Sequence, residues 1–248
     1  MNQIRAAMRM FLFVGSTLGL YAAWWVADWF ISNKISWRQT IFYRWTQCFV
    51  KISGMKLEVI GMAPKPPFFL VCNHLGYADM AALRQAATGV FVAKSEVKGW
   101  PLAGRIVRDM GTVFIDRANR RDIPRAGSEI IGRLAAGEGV IVFPEGKSTK
   151  GEEVLPFNSS FLQFAAETDV PVSYAAITYS TPADGPPASN YVCWWENIGF
   201  FAHLWRMFTL PGYTATVSFG ESPIINNDRK LLAAELRDRV ADKFVPVL

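Results

Sequence analysis

A chain of 248 residues with 51% apolar and 19% charged side chains is too apolar to be disordered, and it is long enough for one α/β domain with an appendage. Its formal net charge of +5 suits an anionic membrane surface or phosphate-bearing substrates. No zinc-finger spacing, basic zipper or aromatic RNA-binding signature points to a nucleic-acid partner.

From Met10 to Ile31 the chain is apolar and aromatic, with Asp28 as the only charge, a stretch long enough for one helical crossing of a bilayer. Arg5 and Arg9 precede it, and Trp24, Trp25 and Trp29 close it. That composition reads as a retained interfacial anchor; a cleaved leader would end in a small-x-small site. Lys34, Arg38, Arg44 and Lys51 follow, so basic residues flank both ends and the positive-inside rule selects no orientation. Over 37–49, the residues Trp37, Ile41, Trp45, Cys48 and Phe49 share one helical face, while Arg38 and Arg44 fall off it. Two arrangements fit. One is a hairpin dipping into one leaflet, with both ends on the cytoplasmic face of the inner or plasma membrane. The other is a plain transmembrane helix followed by a core helix. In either case residues 1–53 are expected to be a membrane-associated helical segment and 54–248 a separate α/β domain.

Beyond Gly54, short apolar runs alternate with helical stretches. Phe68–Cys72, Val90–Ala93, Thr112–Ile115, Val140–Phe143 and Val170–Ile177 read as buried strands, and Thr214–Phe219 alternates as a half-exposed one. Asp79 stands where it can cap a helix over Met80–Ala87, and Pro101 precedes a helix over Leu102–Met110. Asp122 and Pro124 open a helix with Ile123, Gly127, Ile130, Ile131 and Leu134 inward, closed by Gly137 and Gly139. Asn158 or Ser159 caps Phe161–Glu167, and Asn227 or Asp228 starts a last helix with Leu231, Leu232, Leu236 and Val240 inward. The aromatic stretch Trp194–Phe208 fits core, a second membrane patch or an acyl-chain wall. Strands alternating with helices imply an α/β fold with a mixed, largely parallel sheet flanked by helices.

Cys48, Cys72 and Cys193 are odd in number, far apart and set in apolar runs, and read as reduced, buried side chains. His74 and His203 form no metal-ligand spacing with other residues. Three strand ends carry charge. Asn73-His74 and, five residues after the histidine, Asp79 follow the FFLVC strand. If the loop folds back, the carboxylate orients the imidazole and the other ring nitrogen takes a proton from a hydroxyl; the alternatives are a capping aspartate and a core histidine. Gly111-Thr-Val-Phe-Ile-Asp116-Arg117 ends a second strand, where Arg117 offers a fork for phosphate or pairs with Asp116. Phe143-Pro144-Glu145-Gly146-Lys147-Ser148-Thr149 ends a third. A phosphate-binding P-loop there fails, because its upstream glycine would fall at Ile141. No G-x-S-x-G elbow is present.

In this order the pieces resemble the glycerolipid acyltransferase family that includes 1-acylglycerol-3-phosphate acyltransferases. Its N-H-x-x-x-x-D motif matches Asn73, His74 and Asp79; its G-x-x-F-I-D-R motif matches Gly111, Phe114, Ile115, Asp116 and Arg117; its F-P-E-G motif matches Phe143, Pro144, Glu145 and Gly146. Lys94, Pro101 and Gly104 also fall where the family often carries them. The resemblance implies His74 as general base with Asp79 orienting it. It implies Asn73, Lys94, Arg117, Glu145, Gly146 and Lys147 as substrate-binding residues, with no metal and no cofactor beyond acyl-CoA or acyl carrier protein as co-substrate. The acceptor it implies is 1-acylglycerol-3-phosphate, giving phosphatidic acid. Two departures turn attention to other acceptors, such as lyso-ornithine lipid or another lysophospholipid. Lys147-Ser148-Thr149 replaces an expected T-R-S, and Tyr174 replaces the second proline of a V-P-V-x-P-V motif. A reading of another class is a membrane-surface lipid-binding protein with a degenerate site.

Overall fold

The computed structural model describes residues 2–116, 119 and 121–247. The strands are β1 (Met55–Ile60), β2 (Phe68–Cys72), β3 (Gly89–Lys94), β4 (Val113–Ile115), β5 (Gly139–Val142), β6 (Val172–Ser180) and β7 (Tyr213–Phe219). They form one sheet in the order β1-β7-β6-β2-β5-β3-β4. From β6 to β4 all neighbours are parallel; β7 pairs antiparallel with β6 and parallel with β1. The sheet is thus mixed and largely parallel, as the strand–helix alternation implies. Each strand expected from the apolar runs is present within a few residues. The edge strand β1 escaped the periodicity argument because only Met55 is buried in it.

Helices cover both faces: α1 (Asn2–Ala27), α2 (Lys34–Ser53), α3 (Ala78–Ala86), α4 (Ala103–Asp109), α5 (Asp122–Ala135), α6 (Gln163–Glu167), α7 (Ala188–Tyr191), α8 (Phe200–Phe208) and α9 (Arg229–Lys243). The strand alternation divides the apolar side chains between two cores. Phe68, Leu70 and Cys72 of β2 join α1, α2, α3 and α8, whereas Phe69 and Val71 join α5, α6 and α9. Gly137, at φ 80°, ends α5 as expected. Gly139 instead opens β5, where a Cβ would overlap the Phe68 ring. Ile131 and Leu231, both expected inward, are 40% and 61% exposed, one step off the stripe that packs on the sheet.

The first two helices pack against each other and against the body. Phe13 meets Trp45, Phe49 and Phe208 edge-on or tilted, and Trp45 Nε1 donates to Thr17 at 2.9 Å. Near the start of α1, Arg9 donates to the Leu210 carbonyl at 2.7 Å; near its end, Tyr21 donates to Asp109 at 2.7 Å. Much of the surface of α1 is bare, with Ile4 76% and Phe11 77% exposed. This helix is long and apolar enough to cross a membrane, and only 6% of its apolar window is buried.

Arg38 corrects the helical-wheel reading of α2. Placed on the polar face by the sequence argument, it is buried beneath the helix and donates two bonds to Glu138, at 2.6 and 2.7 Å, and one to the Met110 carbonyl at 3.0 Å. Its guanidinium occupies the space a Cβ would need at Gly111, whose φ is 92°. The first glycine of the G-x-x-F-I-D-R stretch therefore makes room for an arginine from another helix.

Candidate active site

The strands β2, β5, β3 and β4 are parallel and consecutive in the sheet, so the segments that follow them leave at one edge. That edge gathers Asn73 and His74 after β2, Lys94 at the end of β3, and Glu145, Gly146 and Lys147 after β5. Arg117, expected as a phosphate ligand, lies outside the described residues.

The loop between β2 and α3 folds back on itself. Asp79 lies in the first turn of α3, and Tyr77 occupies the capping position, so Asp79 is no N-cap. Its carboxylate, with no exposed surface, turns toward the loop instead. Oδ2 accepts from the backbone N–H of Leu75 at 2.7 Å, that of Gly76 at 3.0 Å, and His74 Nδ1 at 2.8 Å. Oδ1 accepts from the Tyr179 hydroxyl at 2.7 Å. Because a carboxylate only accepts, His74 Nδ1 carries the proton and Nε2 holds the lone pair. The imidazole stacks on Phe143, with ring centroids 4.2 Å apart, and its side chain remains 24% exposed. Among the described residues no hydrogen bond engages Nε2. An oriented imidazole with one nitrogen anchored and the other open can accept a proton from a hydroxyl brought to that edge.

Neighbouring loops hold this arrangement. The Thr149 N–H donates to the His74 carbonyl at 2.9 Å, and the Trp194 N–H donates to the Leu75 carbonyl at 2.7 Å. Gly76 fits because a Cβ there would press to 3.0 Å from the Trp194 nitrogen. Tyr77, Trp100, Trp194 and Phe200 form an aromatic cluster around the loop. Within it the buried His203 Nε2 donates to the Cys193 carbonyl at 3.0 Å, leaving Nδ1 to accept from the Tyr77 hydroxyl at 2.8 Å. Burial holds the His203 imidazole down to about 4, so it is neutral near pH 7. The aromatic stretch after Trp194 is therefore partly core, while Phe201 remains 65% exposed.

Asn73 is not presented to a ligand. Its amide bridges two strands, donating to the Ile177 carbonyl at 2.9 Å and accepting from the Ile177 N–H at 2.8 Å. It is 1% exposed. Lys94 and Lys147 are exposed. Glu145 turns back under His74, and its Oε1 accepts from the His74 N–H at 3.2 Å. Gly146, at φ 74°, supplies the turn that aims it. Tyr179, Tyr77 and His203 were not singled out by sequence. Their partners lie about a hundred residues away along the chain, and no local spacing marks them.

Burial pushes the Glu145 carboxyl up to about 8; the His74 N–H opposes this and the Asp79 charge adds to it. Between the ordinary carboxylate range and pH 8 the folded chain thus keeps a proton that the unfolded chain has released. Wild-type stability falls as pH rises through that window. A Glu145→Gln variant keeps the acceptor for His74 and has no such titration. Its melting temperature is expected to rise relative to wild type from pH 5 to pH 8 and to run parallel above. A difference that stays flat across pH 5–8 in thermal scans removes the assignment.

Comparison with known proteins matches this geometry to a common architecture. A family model described as Acyltransferase matches residues 55–178, half of the chain. The chain is 29% identical over 225 residues to a lyso-ornithine lipid O-acyltransferase of Brucella abortus, spanning 85% of this chain and 84% of that protein. It is 31% identical over 165 residues to a 1-acyl-sn-glycerol-3-phosphate acyltransferase of Neisseria gonorrhoeae, spanning 66% of this chain and 64% of that one. The crystal structure of the 1-acyl-sn-glycerophosphate (LPA) acyltransferase PlsC from Thermotoga maritima superposes with a TM-score of 0.71 at 21% identity, covering 98% of this chain and 95% of that one. At that identity the structural likeness speaks to the fold.

Proposed function

Because the chain belongs to the acyltransferase family, we propose that it transfers a fatty acyl group from acyl-CoA or an acyl carrier protein to the free hydroxyl of a lysolipid, with 1-acylglycerol-3-phosphate as acceptor and phosphatidic acid as product. The observation that carries this reading is the His74–Asp79 pair, with Nδ1 anchored at 2.8 Å and Nε2 open at the sheet edge. His74 Nε2 takes the acceptor's hydroxyl proton as the oxygen attacks the thioester carbonyl. The new C–O bond forms, the C–S bond breaks, and the imidazolium returns its proton to the departing thiolate. The thioester supplies the leaving group, so the step balances without a metal or cofactor. Glu145 and Gly146, with Lys94, Lys147 and Arg117, are the acceptor and donor contacts in this reading; Asn73 shapes the loop.

A second acceptor, lyso-ornithine lipid, is favoured by two observations. A relative so described matches 85% of the chain, and Ser148 and Tyr174 stand where the phosphatidic-acid-forming motif has an arginine and a proline. The long apolar helix α1 supports a site that works at the membrane. In this reading α1 is part of a hairpin buried in one leaflet on the cytoplasmic face of the inner or plasma membrane, and its ties to the body near both ends support the hairpin over a crossing.

Detergent-solubilised protein supplied with acyl-CoA or acyl carrier protein and a panel of lysophosphatidic acid, lyso-ornithine lipid and lysophosphatidylethanolamine is expected to release thiol with one acceptor well above the rest. Lipid binding without thiol release across the whole panel makes the chain a binding protein and overturns the proposal.

A further inference from the structure

A groove of about 720 Å³ opens between the end of α1 and α4, at a distance from the proposed chemistry. Asp109 ends α4 just before β4 begins, whereas His74 follows the end of β2. Because β2 and β4 point the same way in the sheet, the Asp109 end of the groove and the imidazole belong to opposite edges. Trp24, Trp25 and Trp29 form one wall and Arg105 and Arg108 the other.

The groove's lining sets Arg105 and Arg108 against Asp28 and Asp109, and Lys34 beside it leaves one positive charge over. Asp109 accepts from Tyr21 at 2.7 Å and pairs with Arg108 at 2.9 Å. Asp28, the other carboxylate, pairs with Lys34 at 3.1 Å. Arg105 is exposed and makes no hydrogen bond or ion pair among the described residues. One uncompensated guanidinium therefore faces a tryptophan wall. That wall continues into the turn after α1, where Trp29 is 76% and Phe30 83% exposed. Tryptophan prefers the boundary between headgroups and acyl chains, and a guanidinium at that depth meets lipid phosphate. A soluble anion would need the arginine but not the apolar face beside it.

We propose that the groove between α1 and α4 binds the phosphate of an anionic bilayer phospholipid through Arg105, with Trp25 and Trp29 seated among the neighbouring lipids. The site is distinct from the acceptor site and sets α1 flat against the membrane. This inference rests on the reading of α1 as an interfacial helix, and the experiment separates the two. Full-length protein is incubated with vesicles of phosphatidylcholine alone, or of phosphatidylcholine with phosphatidylglycerol, and sedimented. Wild type is expected to bind both and to prefer the anionic vesicles. Arg105→Gln is expected to weaken binding to anionic vesicles about fivefold, the size of one basic residue at such a surface, and to leave binding to neutral vesicles unchanged. Trp25→Ala with Trp29→Ala is expected to weaken both. Thiol release by Arg105→Gln in detergent is expected to match wild type.

Lys230 serves as the charge control, being exposed at the start of α9 on the other helical layer. An equal loss with Lys230→Gln reduces the effect to net charge and overturns the site. Displacement by inorganic phosphate at matched ionic strength assigns the groove to a soluble anion and overturns the lipid reading. Equal binding of wild type and Arg105→Gln to anionic vesicles removes the site while leaving the interfacial helix intact. No sedimentation with either vesicle removes both.

Discussion

Replacing His74 by alanine is expected to lower acyl transfer by about 10³-fold or more, at saturating acceptor, with the fold retained. The imidazole is partly exposed and touches the core mainly through its stack on Phe143, so its loss leaves the sheet and both hydrophobic clusters in place. Among the described residues, its Nε2 is the open base at this edge. Asp79→Asn is expected to lose a comparable factor for a different reason. The carboxylate gathers four donors, and three of them converge on Oδ2. An asparagine oxygen can still serve the Leu75 and Gly76 N–H groups, but the neutral amide no longer stabilises the imidazolium or fixes its tautomer. Because Asp79 is fully buried, this variant is also expected to melt earlier, and turnover should be compared at a temperature where both proteins are folded. Thiol release measured on both variants decides the point: His74→Ala retaining more than a tenth of wild-type turnover removes the general base from the mechanism.

The largest effect on stability is expected from the ion pair beneath α2. Arg38→Met strands Glu138, whose side chain is 2% exposed, with Gln39 and Arg133 as its remaining partners among the described residues. Removing one member of a buried pair costs about 3 kcal/mol or more, which for a chain of this size lowers the melting temperature by roughly 6–12 °C. The double variant Arg38→Met, Glu138→Met leaves no uncompensated charge from the pair and is expected to recover much of that loss. Burial alone would raise the Glu138 carboxyl, but the hydrogen bonds and charge of Arg38, together with Gln39 and Arg133, hold it below its ordinary value. The pair's contribution is therefore present above the ordinary carboxylate range and lost as pH falls through the lowered value. Thermal melting of the single and double variants at pH 7 and pH 4 checks both statements. A double variant no more stable than the worse single one assigns the loss to packing of α2 and not to stranded charge.

The aromatic cluster around the motif loop shows why local reading stopped where it did. Tyr77 lies inside the N-H-x-x-x-x-D spacing and His203 lies 126 residues further on, in a helix whose buried face is otherwise apolar. Period and spacing report which face of an element is buried, and they carry no information on which distant element meets it. The same limit explains Arg38, which a helical wheel puts on the wet side because its partner, Glu138, sits a hundred residues away at the start of β5. It also explains Ile131 and Leu231, apolar residues one step off the packed stripe.

By itself the sequence determined the α/β class, nearly every strand, the apolar N-terminal helix and the residues of the three strand-end motifs. Those features are written in runs, periods and turn residues a few positions apart, where the backbone's own geometry enforces them. Only the tertiary structure decided that Asp79 orients a histidine rather than capping a helix, that Asn73 clamps β2 to β6, that Gly111 makes way for an arginine, and that β7 reverses the sheet. Each of these depends on which polar groups are left without water once the layers close. That satisfaction is a property of the packed chain, because a buried donor takes the acceptor that the fold brings to it, however far away it lies in sequence.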